Sequence, residues 1–240
     1  MPDPDPPSDE SSARRRPPGD AGTAARACQD PAAGGETPGE HRREAGTDVA
    51  DPVRRSARTF GTGHPRLEAG PVTLRRPEER DAAAIAGCHN DPEIARWFGV
   101  AHPWTHDDAL RYVTVEVPAW WSRGEEAVFA VVGADDAYQG SVDLRVRGTD
   151  PAAGEVGFFV APAARGRGYA TAALTAVCRW GFEALGLERV EWRAEVGNDA
   201  SRRVAQKAGF TMEGLLRRAL VTGGTRRDCW IGSLLREDMA

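Results

Sequence analysis

The segment Val160-Ala-Pro-Ala-Ala-Arg165-Gly-Arg-Gly-Tyr169-Ala170 joins an apolar strand pattern to an amphipathic helix pattern through a short loop rich in glycine and arginine. Gly166 and Gly168 carry no side chain that would keep an anion away from the backbone. The loop amides converge with the start of the helix, whose dipole adds about half a positive charge. Arg165 and Arg167 add long-range attraction for anions. The segment therefore predicts a phosphate-binding turn, with a purely structural strand-to-helix turn as the alternative.

Two common nucleotide motifs do not fit this segment. The spacing differs from the GxxxxGK[ST] pattern, and the only lysine of the chain, Lys207, lies far from the loop. A GxGxxG dinucleotide fingerprint is also absent from the loop. The phosphate site is therefore predicted to belong to neither a P-loop protein nor a dinucleotide-binding fold.

The sequence on both sides of the loop predicts an α+β domain. Glu155–Val160 has a strand pattern before the loop, and Gly168 to about Leu185 has the apolar spacing of a helix after it. Ala127–Val132 and Gln139–Val146 predict a hairpin, because a short turn sequence separates two apolar runs. Arg189–Val196 alternates apolar and charged residues, as a half-buried strand does. Two further strands are predicted near the end of the chain, which favours one mostly antiparallel sheet.

The part of the domain before the hairpin is predicted to be helical. Helices are expected from Pro77 to about His89 and from Asp91 toward Phe98. Thr105 and Asp108 have the spacing of a capping box, which would start a third helix that breaks or kinks at Pro118. The region also carries several tryptophans, which we interpret mainly as core residues.

Residues 1–65 predict a disordered tail. They hold ten of the 17 prolines, and their large apolar side chains are limited to Met1, Val49, Val53 and Phe60. Such a segment buries too little apolar surface to offset the entropy lost on ordering, about 1–2 kcal/mol per residue for the backbone alone. The predicted organisation is therefore a tail over residues 1–65 and one folded domain over residues 66–240.

Composition and charge exclude several classes of protein. The net charge of −5 disfavours a nucleic-acid binder that relies on phosphate neutralisation. The four cysteines show no metal-ligand spacing, so no metal site is expected and a reducing, cytoplasmic compartment is favoured. Apolar runs stay well below the roughly 20 residues of a membrane span, and the N-terminus lacks the pattern of a signal peptide.

Several motifs, in order along the chain, resemble the GNAT superfamily of acetyl-CoA-dependent N-acetyltransferases. Arg165-x-x-Gly168-x-Ala170 resembles the family signature Q/R-x-x-G-x-G/A. Glu155–Val160 precedes it in the place of the central splayed strand of the family, and Asn198-x-x-Ser201 with Lys207–Phe210 resembles a second landmark. The ending Arg227–Asp238 resembles the closing strand of the Rim-type ribosomal-protein acetyltransferases. The likeness covers about residues 70–238 and implies a single GNAT-like domain, with a central splayed strand in a sheet flanked by helices.

The resemblance implies a set of residues that bind acetyl-CoA. Backbone groups of Phe159 and Val160 would pair with the pantetheine arm, and Asn198 would contact the pantetheine or the acetyl region. Asn198 is equally suited to cap a helix, and it could do both. The amides expected to hold the pyrophosphate belong to Arg165, Gly166, Arg167, Gly168, Tyr169 and Ala170.

The resemblance also implies an acid that protonates the departing thiolate. Many members of the family use a late tyrosine, but the three tyrosines of this chain, Tyr112, Tyr138 and Tyr169, all precede Asn198. That leaves Ser201 or water as the proton donor. The alternative for Ser201 is a helical hydroxyl bonded to the preceding turn.

A general base is expected on the splayed strand. The attacking amine must be neutral, so a group has to accept a proton from its ammonium form. Glu155 is the first candidate, because desolvation beside aromatic residues would raise its pKa. Glu191, Glu195 and Asp143 are alternatives. For any of them, a solvated carboxylate without a catalytic role is an equally good interpretation.

The sequence therefore predicts an enzyme that transfers acetyl from acetyl-CoA to a primary amine by direct attack in a ternary complex. The closing-strand likeness favours the N-terminal amine of a protein as acceptor, and a small antibiotic or metabolite amine is the alternative. A third possibility is a CoA-binding module without catalysis, because a phosphate loop binds the coenzyme whether or not chemistry follows.

Overall fold

The computed structural model describes residues 60–99, 103–146 and 150–239. Residues 1–59 of the predicted tail lie outside the described residues. The strands are β1 (Leu67–Ala69), β2 (Val72–Arg75), β3 (Glu126–Val132), β4 (Tyr138–Arg145), β5 (Ala153–Val160), β6 (Arg189–Glu195), β7 (Thr211–Thr222) and β8 (Thr225–Leu235). The α-helices are α1 (Ala82–His89), α2 (Pro92–Phe98), α3 (His106–Arg111), α4 (Val117–Ser122), α5 (Tyr169–Ala184) and α6 (Asp199–Lys207).

One sheet contains all eight of these strands, in the order β1-β2-β3-β4-β5-β6-β8-β7. β5 and β6 are parallel neighbours, and the other neighbouring pairs of described strands are antiparallel. The parallel pair requires a crossover connection, which α5 provides across one face of the sheet. The predicted α+β class with a mostly antiparallel sheet is confirmed.

Helix α5 packs its apolar face on the centre of the sheet. Leu174, Val177, Cys178 and Phe182 are buried there, at the spacing that predicted the helix. Burying each of the larger side chains stabilises the fold by about 1.5–3 kcal/mol. α5 thereby fixes the loop that precedes it relative to β5 and β6. No helix among the described residues is long and apolar enough to cross a membrane.

The opposite face of the sheet is covered by the helices of the first half of the domain. The predicted capping box is confirmed, because Thr105 and Asp108 bond reciprocally at the start of α3. The predicted break at Pro118 takes a milder form, since a π turn over Tyr112–Glu116 joins α3 to α4. Proline has no backbone N–H to donate. The wider π turn changes the hydrogen-bond pattern just before Pro118, so the helix continues without a bond from this residue.

Residues 60–65, assigned to the tail by the sequence, pack on the domain. Phe60 is buried, with its ring 5.1 Å from that of Trp121 and 6.0 Å from that of Trp180. His64 stacks on Trp121 and bonds through Nε2 to the Val128 carbonyl at 2.9 Å. Burial lowers the pKa of His64 to about 4, so this ring is neutral near pH 7. Isolated apolar or aromatic residues among polar ones show no periodicity, so the sequence did not indicate this contact.

We expect Phe60→Ala to lower the free energy of unfolding by about 3 kcal/mol, because it empties a site lined by two tryptophans. Urea unfolding followed by circular dichroism measures this change. Phe60→Leu is the control, since it keeps most of the volume and should lose less than about 1.5 kcal/mol. Unchanged stability of Phe60→Ala would show that residues 60–65 contribute nothing to the folded domain.

Candidate functional site

The centre of the sheet opens where β5 and β6 part. The two strands pair from Ala153 and Arg189 to Val156 and Trp192. Beyond that point β5 stays paired with β4, and β6 stays paired with β8. The inner edges of both strands are therefore free of each other along their last residues.

The register determines which groups of β5 face the gap. The Ala161 amide donates to the Gln139 carbonyl at 2.7 Å, and bonded and non-bonded pairs alternate along antiparallel strands. Phe159 therefore directs its backbone groups toward β4. Phe158 and Val160 direct theirs into the gap. The sequence analysis assigned the backbone groups of Phe159 and Val160 to this edge. The register agrees for Val160, but it directs the backbone groups of Phe158 into the gap in place of those of Phe159.

The facing edge of β6 follows from the same rule. The Val196 amide donates to the Asp228 carbonyl at 3.0 Å, so every second residue of β6 bonds to β8. Arg193 and Glu195 are intervening residues that do not bond to β8, so their backbone groups point toward β5. A ligand in an extended conformation would thus find donors and acceptors on both sides of the gap.

The predicted phosphate turn lies at the end of the gap. Gly166 and Gly168 adopt the left-handed region, with φ of 77° and 78°, and a Cβ at either position would meet no atom within 4 Å. α5 begins directly afterward, so the amides of Tyr169, Ala170 and Thr171 have no partner within the helix. A turn without side chains in the way, followed by helix amides that have no partner within the helix, can bind an anion.

Arg165 departs from the role expected for it. Its amide donates to the Pro162 carbonyl at 3.3 Å, so that amide is already used within the turn. Its guanidinium lies 2.6 Å from an Asp91 oxygen and 2.8 Å from a Glu93 oxygen. Two carboxylates therefore offset its charge. Arg167 is exposed and forms no ion pair with a described residue, which leaves its charge available to an anion.

Two adjacent cavities with partly shared walls occupy the gap. The outer one has a volume of about 380 Å³ and lies between the phosphate turn, α2 and α6, with Arg203 and Lys207 in its wall. The inner one has a volume of about 80 Å³ and reaches the β7–β8 hairpin at Leu220 and Thr222. The residues that line both cavities are Trp97, Phe98, Phe158, Asn198 and Ser201.

Ser201 is oriented at the junction of the cavities. Asn198 caps α6 by accepting a hydrogen bond from the Ser201 amide at 3.1 Å. The Trp192 indole donates to Ser201 Oγ at 3.0 Å. Because the indole is only a donor, the Ser201 hydroxyl accepts this bond and keeps its own proton for another acceptor.

A row of alternating charges crosses the sheet beside the inner cavity. Arg145 lies 3.0 Å from Asp143 and 3.2 Å from Glu155, and Glu155 lies 3.9 Å from Arg193. Arg193 in turn contacts Glu191 at 3.1 Å. The row holds each carboxylate next to at least one guanidinium, so the face carries many charges but little net charge.

Glu155 pairs with Arg145, whose guanidinium lies beside Gly157, two residues further along β5. A Cβ at Gly157 would lie 2.7 Å from Asp143 Oδ1 and 2.9 Å from Arg145 Nη2, so both side chains lean over this glycine. Among the described residues, Asp143 and Glu195 line the inner cavity, whereas Glu155 does not. Desolvation raises the pKa of Glu155, and Arg145 and Arg193 oppose that rise.

The arginines of this row were missed by the sequence analysis. Arg189, Glu191, Arg193 and Glu195 follow at every second position, and such residues lie on one face of a strand. Along β6, this alternation of basic and acidic residues could have predicted ion pairs from the sequence. No cluster of His, Cys, Asp and Glu in the described parts of the chain is arranged to hold a metal ion.

Comparison with known proteins places the chain among acetyltransferases. The family model "Acetyltransferase (GNAT) domain" matches residues 72–211. The candidate ribosomal N-acetyltransferase YdaF of Bacillus subtilis is 30% identical over 173 residues, which cover 70% of this chain and 92% of YdaF.

Solved structures agree with this fold. RimJ of Mycobacterium smegmatis in complex with CoA-disulfide has a TM-score of 0.59 and 29% identity, covering 73% of this chain and 87% of RimJ. The spermidine N-acetyltransferase of Vibrio cholerae, in complex with CoA and spermine, has a TM-score of 0.60. At 21% identity, over 70% of this chain and 98% of its own, it shows the fold alone.

We expect Gly168→Asp to weaken acetyl-CoA binding at least tenfold relative to Gly168→Asn, a difference of about 1.4 kcal/mol. The two side chains have nearly the same shape, and both are among the better tolerated at positive φ. They differ in a negative charge at the start of α5, where a diphosphate is expected. Isothermal titration calorimetry measures both affinities. Equal affinities would contradict the assignment of this turn to the diphosphate.

Proposed function

Because the chain belongs to the GNAT acetyltransferase family, we propose that it transfers acetyl from acetyl-CoA to the N-terminal amine of a protein. The acetyl transfer and the use of acetyl-CoA follow from the family. The protein acceptor is supported by YdaF, a relative whose name refers to a ribosomal N-acetyltransferase, and RimJ is a second relative at 29% identity. The observation that carries the proposal is the meeting of the two cavities in the gap beside Ser201.

Acetyl-CoA supplies the acetyl group as a thioester. In the proposed arrangement, the amides of Gly166 to Ala170 hold its diphosphate, and Arg167 adds attraction. Phe158 and Val160 offer backbone groups to the pantetheine arm, with Asn198 on the other side of the gap. The amide of Arg165 is excluded from this set, because Pro162 already accepts its proton.

The acceptor amine enters the inner cavity. This cavity, of about 80 Å³, is the smaller of the two and admits an amine with a small side chain. Asp143 and Glu195 present carboxylates there beside the guanidinium groups of Arg145 and Arg193. Direct contact with the two carboxylates, and not a net negative charge, would therefore favour an ammonium group before it reacts. This combination suits an N-terminal residue with a small side chain.

Proton transfers complete the reaction. The amine nitrogen, neutral once its ammonium form has lost a proton, forms a bond to the thioester carbon as the carbon–sulfur bond breaks. The thiolate takes a proton from the Ser201 hydroxyl, and the new amide nitrogen gives its surplus proton to solvent. Before the attack, the ammonium form loses its proton toward Glu155, the base predicted from the sequence, whose raised pKa favours acceptance. Glu155 does not line the inner cavity, so this transfer requires a water molecule that connects the amine to the carboxylate. Solvent restores the Ser201 proton.

A small-molecule amine is the second candidate acceptor. The carboxylates of Asp143 and Glu195 would attract any compact ammonium group, and the fold is shared with a spermidine N-acetyltransferase. The cytoplasmic location predicted from the cysteine content suits either acceptor and stays a prediction.

Release of the CoA thiol separates these candidates. The assay uses acetyl-CoA with short peptides that begin with alanine or serine, and with spermine and an aminoglycoside. We expect the highest kcat/KM with a peptide, and blocking its N-terminus should abolish the signal. A preference for spermine or the aminoglycoside would overturn the protein acceptor, and absence of release with every amine would favour a CoA-binding module.

We expect Ser201→Ala to lower kcat about 100-fold, the low end for a general acid, because water can partly replace the hydroxyl. Acetyl-CoA affinity should stay within about threefold, since the Asn198 cap uses the backbone amide of residue 201. Ser201→Thr is the control, because it keeps a hydroxyl. Unchanged turnover in the alanine variant, with chemistry shown to be rate-limiting, would assign Ser201 a structural role alone.

Glu155→Gln and Asp143→Asn distinguish a base from an ammonium-binding group. If Glu155 accepts the proton, Glu155→Gln should lose about 100-fold in kcat/KM at neutral pH and recover at high pH, where the amine arrives neutral. Asp143→Asn should instead raise the acceptor KM and keep the ionisation seen in the pH profile. A wild-type profile for Glu155→Gln would exclude it as the base.

A further inference from the structure

Helix α2 forms a wall common to both cavities. Trp97 and Phe98, in its last turn, line the inner and the outer cavity, and Ile94 lines the outer one. The edge of the Phe98 ring also meets the Phe159 ring on β5 at 5.5 Å. Any displacement of α2 therefore changes the space between the coenzyme and the acceptor.

The beginning of α2 is tied to the phosphate turn. Asp91 caps α2 by accepting a hydrogen bond from the Ile94 amide at 3.1 Å, and the same carboxylate pairs with Arg165 at 2.6 Å. Glu93, in the first turn, pairs with the other terminal nitrogen of Arg165 at 2.8 Å. One guanidinium thus holds two carboxylates of a seven-residue helix that lies 74 positions away in sequence.

The end of α2 meets the β7–β8 hairpin. Gly99 ends the helix in the left-handed region at φ 62°. A Cβ at Gly99 would lie 2.7 Å from the Gly223 amide nitrogen and 3.2 Å from Thr222 Cγ2. α2 therefore spans the distance from the phosphate turn to the hairpin that lines the inner cavity.

We propose that Arg165 is a positioning residue for the acceptor, which acts by fixing α2 to the phosphate turn. The inference rests on the proposed function, because it assigns the inner cavity to the acceptor. A helix of seven residues is unstable by itself, so its placement depends on such contacts. The Arg165 guanidinium pairs with Asp91 and Glu93 and leaves attraction of the diphosphate to the loop amides and Arg167.

The test removes the ion pairs from either side. Arg165→Gln removes the cation, whereas Asp91→Asn combined with Glu93→Gln removes the anions and keeps a good helix cap. Both variants should raise the acceptor KM about fivefold, the upper end for exposed ion pairs, with kcat within twofold. The acceptor is the best substrate of the amine panel. Acetyl-CoA affinity should fall in Arg165→Gln, which exposes two carboxylates beside the diphosphate, and should not fall in the double variant.

Hydrogen exchange of the 92–98 amides tests the inference without an acceptor. Both variants should speed exchange in α2 about fivefold. Arg167→Gln is the matched control, since it removes a positive charge from the same turn without touching α2. It should weaken acetyl-CoA binding and leave α2 exchange and the acceptor KM unchanged. If the double variant leaves α2 exchange at the wild-type rate, the inference is overturned, whatever the amine panel shows.

Discussion

The parting of β5 from β6 after Val156 and Trp192 is the constraint on which the site depends. Each strand keeps a full ladder on its outer side, so the inner backbone groups of both strands lack a strand partner. Buried N–H and C=O groups without partners are costly, and an extended ligand can satisfy them. The same parting brings the phosphate turn, α6 and the inner cavity to one opening. A sheet that remained paired to its end would have no such opening.

Positively and negatively charged side chains alternate on the open face of the sheet. Asp143, Arg145, Glu155 and Arg193 alternate in sign across three strands, so removal of one member leaves its neighbours uncompensated. This arrangement lets several carboxylates lie beside the inner cavity without strong mutual repulsion. Glu155 pairs with Arg145 within this row and does not itself line the inner cavity.

The helices α5 and α2 are held in place by different kinds of contact. α5 is anchored by a continuous apolar face and holds the phosphate turn in place. α2 is short, and its position depends on Arg165, on Phe98 and on the hairpin end. The phosphate turn is consequently attached to the rigid core, whereas the wall that α2 forms beside the two cavities is attached through a few polar and aromatic contacts.

Local patterns in the sequence determined much of this molecule. The loop with Gly166 and Gly168, the Asn198 cap and the alternating strand 189–195 follow from short-range rules on turns, caps and periodicity. Tertiary structure alone decided that the backbone groups of Phe158, and not those of Phe159, face the gap. It also decided that Arg165 pairs with Asp91 and that Phe60 is buried. These features depend on strand register and on contacts between residues far apart in the chain. Periodicity within a segment carries no information about either, because pairing partners are selected only when the whole sheet and its helices pack.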